Sequence, residues 1–259
     1  MSTAMERPLP RVMYVVAPLV LGVLVVVIWQ GFWSARNVPD FFMPSPAHIW
    51  TELREQHGLI TSATVHTGWN ALRGLVIGTL LALVAALVAN ALRFVREMLA
   101  PIVLAASVVP IAALAPVLNG LFNQRFNTGR VIVAAVAVGV PVYINVLRGL
   151  AQVKPVHRDL MHSYSVSALT RIRTVTLPTA LPYLFTGLRI GSSLAVISAL
   201  VAEYVGGPRQ GLAAVITENA KNGQYALSWA GIVGSIALGL LFYLVTFAME
   251  RWFNRHTSA

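Results

Sequence analysis

The sequence predicts an all-α integral membrane protein with six transmembrane helices. Of its 259 residues, 57% are hydrophobic and only 11% are charged, which leaves too little polar surface to cover a soluble globule. A helix needs about 20 mostly apolar residues to cross the hydrocarbon core of a bilayer. Runs of roughly that length occur along the chain at 12–33, 69–92, 98–118, 131–147, 184–202 and 228–249.

The first run, 12–33, is longer than the apolar part of a secretory signal, and no small-x-small cleavage site follows it, so we expect a retained first transmembrane helix (TM1). Segment 34–68 is expected to form an outer loop with a short helix, because Ser45 followed by Pro46 is typical of a helix cap and first turn. Residues 69–249 then form the membrane core, TM2 to TM6. Kinks are expected in the third and fourth runs at Pro101, Pro110, Pro116 and Pro141.

Lysine and arginine indicate which helix ends face the cytoplasm. In a six-helix arrangement, eleven of them lie on the side of residues 1–11, the 93–96 turn, the 148–183 loop and residues 250–259, against six on the other side. Both termini and the 148–183 loop are therefore predicted to be cytoplasmic, and the 34–68 loop periplasmic or extracellular. The net charge of +10 has the same origin, because the basic residues are dispersed and do not form the aromatic-interleaved stripe typical of nucleic-acid binding.

The 148–183 loop is much longer than a simple connection between antiparallel helices. Its sequence predicts two short helices, 155–162 and 167–176, the second capped by Ser167 and ended by Leu177-Pro178. Such an exposed helix pair can dock in a groove of a partner or lie on lipid headgroups, and periodicity favours neither. The first helix carries a small apolar face formed by Val156, Leu160 and Met161.

The stretch DLMHSYSVSALTRIRTVTLP, residues 159–178, resembles the cytoplasmic loop of the membrane subunits of binding-protein-dependent ABC importers. That family has Glu-Ala-Ala, then Gly, then Leu-Pro at set spacings. Here Asp159-Leu160-Met161, Ser165 and Leu177-Pro178 occupy those places, so position and length match better than the letters. The segments LPTALPYLFTGLRIGSSLAVISALVAEYVGG and FMPSPAHIWTEL are similar to the nitrate, sulfonate, taurine and pyrimidine-precursor branch of these permeases.

The resemblance implies a type I ABC importer permease fold with a cytoplasmic coupling-helix loop. It also implies three kinds of partner: a second permease copy in a homodimer, two ABC ATPase subunits, and a soluble or lipid-anchored solute-binding protein. Motion of the ATPase would reach the membrane helices through residues 155–178 and drive alternating access. Charge pairing by Arg158 and Asp159 would fix the orientation of that contact. The other residues assigned to it are Leu160, Met161, Tyr164, Ser165, Leu177 and Pro178.

No motif of a catalytic subunit is present in the sequence. The G-x-x-x-x-G-K-[ST] phosphate loop is missing, so we expect ATP and Mg²⁺ to be used by the partner ATPase and no cofactor to be bound by this chain. Six histidines are scattered without metal-ligand spacing, cysteine is absent, and no G-x-S-x-G elbow occurs. We therefore expect neither a metal site nor enzymatic activity.

A solute path requires polar groups on otherwise apolar helices. For any single serine, a hydrogen bond to a backbone carbonyl one turn earlier is favoured over a role in the path. Arg73 and Arg189 fall near predicted span ends, where long side chains reach the headgroups. The candidate path residues are Ser107, Pro110, Asn119, Ser192, Ser193, Ser198 and Glu203.

Two glycine pairs, Gly74 with Gly78 and Gly187 with Gly191, predict close approach between helices. After the fifth run, residues 212–216 form an apolar patch that is too short to cross the membrane. We expect a re-entrant or outer cap helix there, which together with the 34–68 loop would dock the solute-binding protein.

Two other classes of protein remain as alternatives. An ion-gradient-driven secondary transporter would show repeated halves and a buried ionisable residue near mid-membrane. A membrane scaffold would have no need of polar residues along the third and fifth runs. The family branch favours a small polar or anionic solute: a sulfonate, nitrate, taurine or a thiamine-type pyrimidine precursor.

Overall fold

A computed structural model describes residues 13–36, 38–39, 41–122, 127–153, 156, 160–161, 163–164, 166–206 and 210–257. The elements whose ends it defines are helical. They are α1 Met13–Arg36, α2 Pro46–Glu55, α3 His57–Ala91, α4 Arg93–Val108, α5 Ile111–Leu121, α6 Thr128–Ala151, α7 Ala168–Arg171, a π-helical turn Ile172–Thr176, α8 Leu177–Val205, α9 Leu212–Lys221 and α10 Tyr225–Thr257.

Five helical stretches among the described residues are long and apolar enough to span a membrane: Val16–Arg36, His57–Ala91, Thr128–Ala151, Ile172–Val205 and Tyr225–Phe253. The predicted third run, 98–118, is not one continuous helix, because α4 and α5 are bent by 101° relative to each other. Counted as one broken span, this pair gives the predicted total of six. Pro110 causes the break: it lacks an N–H and holds Val109 in extended backbone (φ −69°, ψ 124°).

Helix α6 lies at the centre of the bundle, between α3 and α8. Both predicted glycine pairs face it. A Cβ on Gly78 would overlap the Ala135 backbone, and one on Gly187 would lie 3.0 Å from the Val142 Cα. Small residues thus let the backbones approach closely, which confirms the prediction for these glycines and fixes three helices as a tight unit.

Helices α8 and α10 run antiparallel, and three pairs of side chains, about one turn apart along α8, connect them. Phe185 packs on Phe253 with ring centroids 4.7 Å apart. One turn further along α8, Arg189 Nη1 lies 3.1 Å from Glu250 Oε2. In the third pair, the hydroxyls of Ser192 and Thr246 share a hydrogen bond of 3.1 Å. Arg189, which lies near a predicted span end, therefore also joins α8 to α10 through an ion pair.

Helix α1 attaches to the rest of the chain only near its C-terminal end, as far as the described residues go. Trp29 contacts Trp229 edge-on at 5.2 Å, and Gln30 Oε1 accepts a hydrogen bond of 3.1 Å from the Ala47 N–H. The most apolar window of α1 is 0% buried within the chain. Its surface is therefore available to lipid or to another subunit.

The connection between α6 and α8 is shorter than predicted, because α6 continues to Ala151 and helix resumes at Ala168. Ser167 caps the new helix as expected: its Oγ accepts from the Thr170 N–H at 3.3 Å. The predicted end at Leu177-Pro178 is wrong, since the helix runs through both residues to Val205. The π turn just before Pro178 explains this, because its wider coil gives the pyrrolidine ring room against the preceding turn.

Candidate functional site

The segment between α6 and α7 carries the residues predicted to contact an ATPase. A helical turn is present there, with the Tyr164 N–H donating to the Leu160 carbonyl and the Val166 N–H to the Met161 carbonyl, both at 3.1 Å. Leu160 and Tyr164 are exposed, and Met161 is half-buried. Three further residues assigned to this contact, Arg158, Asp159 and Ser165, lie outside the described residues.

Apolar exposure is the main property of this segment. Val156 is 72% exposed and Tyr164 is 73% exposed, at the end of the bundle where α3, α6 and α10 also end. We call this end the loop end, and the opposite end, where α8 finishes, the Glu203 end. A patch of large exposed apolar side chains is typical of a protein contact surface.

Leu177 and Pro178, which were also assigned to the ATPase contact, are exposed but lie outside the turn that contains Leu160 and Tyr164. They occupy the first turn of α8, beyond the π segment. Beside them the loop end has a polar groove of about 690 Å³. Its lining comes from the ends of α3 and α6, the start of α4 and the π region, and includes Asn90, Arg96, Arg171 and Thr176.

The predicted path residues fall into two sets. Ser107 and Pro110 lie exposed at the bend between α4 and α5, and the Ser107 hydroxyl donates to the Leu104 carbonyl at 2.7 Å. Ser193 lines an open, mostly apolar groove of about 720 Å³ between α8, α9 and α10. These three residues remain on the surface of the chain.

In the second set, Ser192, Ser198 and Glu203 are buried within the chain and Asn119 is half-buried. Ser192 donates to the Arg189 carbonyl at 2.8 Å, in addition to its contact with Thr246. The Ser198 hydroxyl is buried with no hydrogen-bond partner among the described residues. Asn119 Nδ2 donates to the carbonyls of Ala202 at 2.9 Å and Gly206 at 3.2 Å, which ties α5 to the end of α8.

Glu203 is the centre of a buried polar cluster at the Glu203 end. Its Oε2 accepts a hydrogen bond of 2.8 Å from Thr67 Oγ1, and its Oε1 accepts one of 3.2 Å from Asn70 Nδ2. The Leu212 N–H in turn donates to Thr67 Oγ1 at 2.9 Å. The cluster thus joins α3, α8 and the first residue of α9.

Arg130 lies next to this cluster and interacts electrostatically with Glu203. Its Nη2 donates to the Gly206 carbonyl and its Nη1 to Asn127 Oδ1, both at 3.2 Å. Asn127 holds this position through a left-handed backbone (φ 54°) at the start of α6. The sequence suggests Arg130 as an outer-loop charge, whereas it is buried inside the chain.

A known protein family matches the larger part of the chain. The family described as "Binding-protein-dependent transport system inner membrane component" matches residues 74–259. The chain is a member of this family. This permease is similar to the "Riboflavin transport system permease protein RibX" of Chloroflexus aurantiacus, with 31% identity over 237 residues, 88% of this chain and 85% of the relative. It is also similar to a "Probable ABC transporter permease protein" of Haemophilus influenzae, with 29% identity, 87% of this chain and 91% of the relative.

A solved structure shows the same fold. The permease matches a chain of the MetNI methionine ABC transporter in inward-facing conformations with a TM-score of 0.66, over 77% of this chain and 98% of that chain, at 16% identity. The fold is that of a type I ABC importer permease, as predicted. The permease is thus the membrane component of a binding-protein-dependent ABC importer of the inner membrane. Other relatives are named for formylaminopyrimidine, bicarbonate, aliphatic sulfonate and nitrate transport, so their names do not converge on one solute.

Sequence reasoning missed the partners of Glu203. Thr67 and Asn70 are separated from it by 136 and 133 residues. Their only local signal is a pair of polar residues three apart at the start of an apolar run, which places both on one face of α3. Glu250 was missed in the same way, because a single acidic residue near the end of an apolar helix does not reveal its partner.

Proposed function

We propose that two copies of this permease form the solute pathway of an ATP-driven importer and that residues 155–178 receive the motion of two ABC ATPase subunits. The observation that supports this most directly is the exposed apolar turn at Leu160 and Tyr164. Buried in a cleft of an ATPase, these side chains would become anchors of the contact, as large apolar and aromatic residues often do. The chain itself would hydrolyse no ATP.

The connection from this turn to the membrane core is short. Three residues, 165–167, separate Tyr164 from α7, and helical backbone then continues through the π segment into α8. Helix α8 is packed closely on α6 through Gly187 and Gly191. A displacement at Tyr164 would therefore move α6 and α8 together, which is the rigid-body motion that alternating access requires.

The imported solute is proposed to be small and polar or anionic: a sulfonate, nitrate, taurine or a thiamine-type pyrimidine precursor. The names of the relatives support this range without selecting from it. Two polar groups, the exposed Ser107 at the α4–α5 bend and the half-buried Ser193 on α8, are candidates for the path between two copies. Most selectivity would lie in a soluble or lipid-anchored solute-binding protein, docked at α2 and α9.

Both termini are proposed to be cytoplasmic, with the loop end of the bundle on the same side. The excess of Lys and Arg at that end supports this orientation. Reporter fusions test it: alkaline phosphatase fused after Thr257 should be inactive and green fluorescent protein at the same place fluorescent. The opposite pattern would reverse the topology.

The ATPase contact is tested by Tyr164→Ala, with Phe94→Ala as the matched control. Both are aromatic, both lie at the loop end, and they are 73% and 72% exposed. Loss of a buried aromatic anchor weakens a protein contact by about tenfold or more. We expect Tyr164→Ala to lower the affinity for the co-purifying ATPase by that factor and Phe94→Ala to leave it unchanged. Equal effects of the two substitutions would remove the support for this contact.

The rival function, a transporter driven by an ion gradient alone, would require a buried ionisable residue near mid-membrane. Glu203 is buried, but it lies two residues from the end of α8. Uptake by purified permease in proteoliposomes with an ion gradient and no ATPase would nevertheless establish the rival. Uptake that requires ATP, an ATPase and a solute-binding protein would support the importer.

A further inference from the structure

Helix α9 closes over the Glu203 end of the bundle, and its first turn rests on the Glu203 carboxylate. Besides the Thr67 hydroxyl that links Leu212 to Glu203, the Ala213 backbone N–H donates to the same carboxylate. A Cβ on Gly211 would overlap the Glu203 carboxylate. Glycine is therefore required at this position, because the carboxylate occupies the space that a side chain would need.

The contacts on the two sides of α9 differ in kind. Toward α10 they are apolar and close: a Cβ on Gly231 would lie 3.0 Å from Ile216 Cγ1, and one on Gly234 would lie 3.1 Å from Leu212 Cδ2. The link between the two helices is a tight turn with Gly223 in left-handed backbone (φ 79°). Helices α9 and α10 thus form one packed hairpin.

Toward α3 the contact is different, because a groove of about 380 Å³ separates part of α9 from it. Polar side chains from both helices line this groove, among them Ser62, His66 and Asn219. Apolar packing therefore contributes less on this side, and the hydrogen bonds around Glu203 carry more of the attachment. The groups that make these bonds, Thr67, Asn70 and Glu203, are all buried.

We propose that the Glu203 cluster is a latch that holds α9 against α3 at this end of the permease, and that the transport cycle releases it. Glu203 is then a positioning residue, which acts on the path through α9 and not by contact with the solute. Hydrogen bonds to a carboxylate suit this role, because each stabilises the closed cluster more than a neutral bond does, while water can still satisfy the same groups when the cluster opens. The existence of the latch does not depend on the proposed function, whereas its release during transport rests on that function.

The test uses the absence of cysteine from the chain. Ala213→Cys places one thiol at a site that is 3% exposed in the closed state, so its reaction rate with a maleimide reports how often α9 lifts. Glu203→Gln removes the negative charge and leaves a single acceptor oxygen, so Thr67 and Asn70 no longer have one acceptor oxygen each. Loss of a hydrogen bond to a charged group should increase the labelling rate about 10- to 100-fold.

The reciprocal double variant Glu203→Gln with Asn70→Asp is the matched control. It restores a donor and an acceptor between the same two side chains with the polarity reversed and leaves the net charge unchanged. We expect labelling of the thiol at position 213 to return to within about threefold of the parent rate, as two coupled sites do. A thiol introduced by Val146→Cys, at a site that is 1% exposed in α6, should react slowly in every variant.

Three results would overturn the latch. The first is an unchanged labelling rate at position 213 in Glu203→Gln. The second is an equal rise in labelling at position 146, which would indicate general loosening of the bundle. The third is a labelling rate at position 213 that stays raised in the double variant. If Glu203→Gln does not insert, Thr67→Val keeps the carboxylate and removes the hydroxyl that bridges to Leu212, and it should raise labelling at position 213 in the same direction. In the assembled transporter, the labelling rate at position 213 should differ between nucleotide-free and ATP-trapped states. An unchanged rate would overturn release of the latch during the cycle. Failure of ATP-driven uptake in the parent would count against the proposed function and not against the latch.

Discussion

The crossing of α3 and α6 gives a prediction whose size can be worked out from the structure. A Cβ on Gly74 would overlap the Ala134 Cβ, with the next contacts at 3.1 Å to the Ala134 carbonyl carbon and 3.2 Å to the Ala135 nitrogen. Gly74→Ala gains about 1 kcal/mol of helix propensity. It loses about 3 kcal/mol through overpacking against a residue that cannot move away. We expect a net loss of about 2 kcal/mol.

Ala134→Gly tests whether this overlap is the cause, because it removes the methyl group that Gly74→Ala would meet. Alone it should cost about 1 kcal/mol, since glycine disfavours the helix interior. If the two changes were independent, the double variant would lose about 3 kcal/mol. If the overlap is the cause, the double variant should instead lose less than about 1 kcal/mol of stability. The gain and the loss of helix propensity cancel, and the single methyl group at the crossing moves from α6 to α3.

The assay is the melting temperature of the detergent-solubilised permease, followed by its monodisperse fraction after heating. For a chain of this size, about 1 kcal/mol corresponds to roughly 2–4 °C. Gly74→Ala should therefore lower the midpoint by about 4–8 °C, and the double variant should recover most of it. Gly239→Ala is the control, because nothing lies within 4 Å of its added Cβ. Additive losses in the double variant would refute the close crossing of α3 and α6.

Three further predictions follow from single contacts. Gly211→Ala should displace α9 and lower stability by about 2 kcal/mol or more, because its Cβ overlaps the Glu203 carboxylate, whereas Gly120→Ala, with open space around it, should be neutral in the same melting assay. Glu250→Gln should cost about 1–2 kcal/mol by leaving Arg189 without its carboxylate, and the charge swap Arg189→Glu with Glu250→Arg should recover part of this; no recovery would assign the loss to packing. Ser165→Trp should abolish stimulation of the partner ATPase while the permease still inserts, and normal coupled uptake by this variant would contradict the assigned contact.

Hydropathy predicts most of the architecture because the membrane fixes helix length. The six apolar runs fall largely within helices of the structure, and the Ser45 cap and the glycine contacts on α6 could be predicted from residue type alone. Proline was harder to interpret. Pro110 breaks its run, while Pro178 is absorbed by a π turn, and the difference depends on the hydrogen bonding of the preceding turn.

The buried polar pairs could not be predicted, because each joins helices that are far apart in the sequence. Glu203 was recognised as a polar residue on an apolar helix, which suggested a solute path. Its actual neighbours, Thr67, Asn70 and Arg130, come from α3 and α6, and only the packing of those helices determines that they meet. A polar residue in a span thus signals an interaction but not whether its partner is a solute or another helix.

Helix α8 connects the two ends at which function is proposed. From Leu177 to Val205 α8 rises about 43 Å at roughly 1.5 Å per residue, so it is longer than the hydrocarbon core is thick. Gly187 and Gly191 press its middle against α6, and Glu203 lies near its far end. If the motion of an ATPase enters at Tyr164, as proposed, the tight unit of α3, α6 and α8 would carry Glu203, Thr67 and Asn70 together and move them relative to the hairpin of α9 and α10. The bonds most sensitive to that movement would be those that hold α9, so release of the proposed latch would follow from motion received at the loop end.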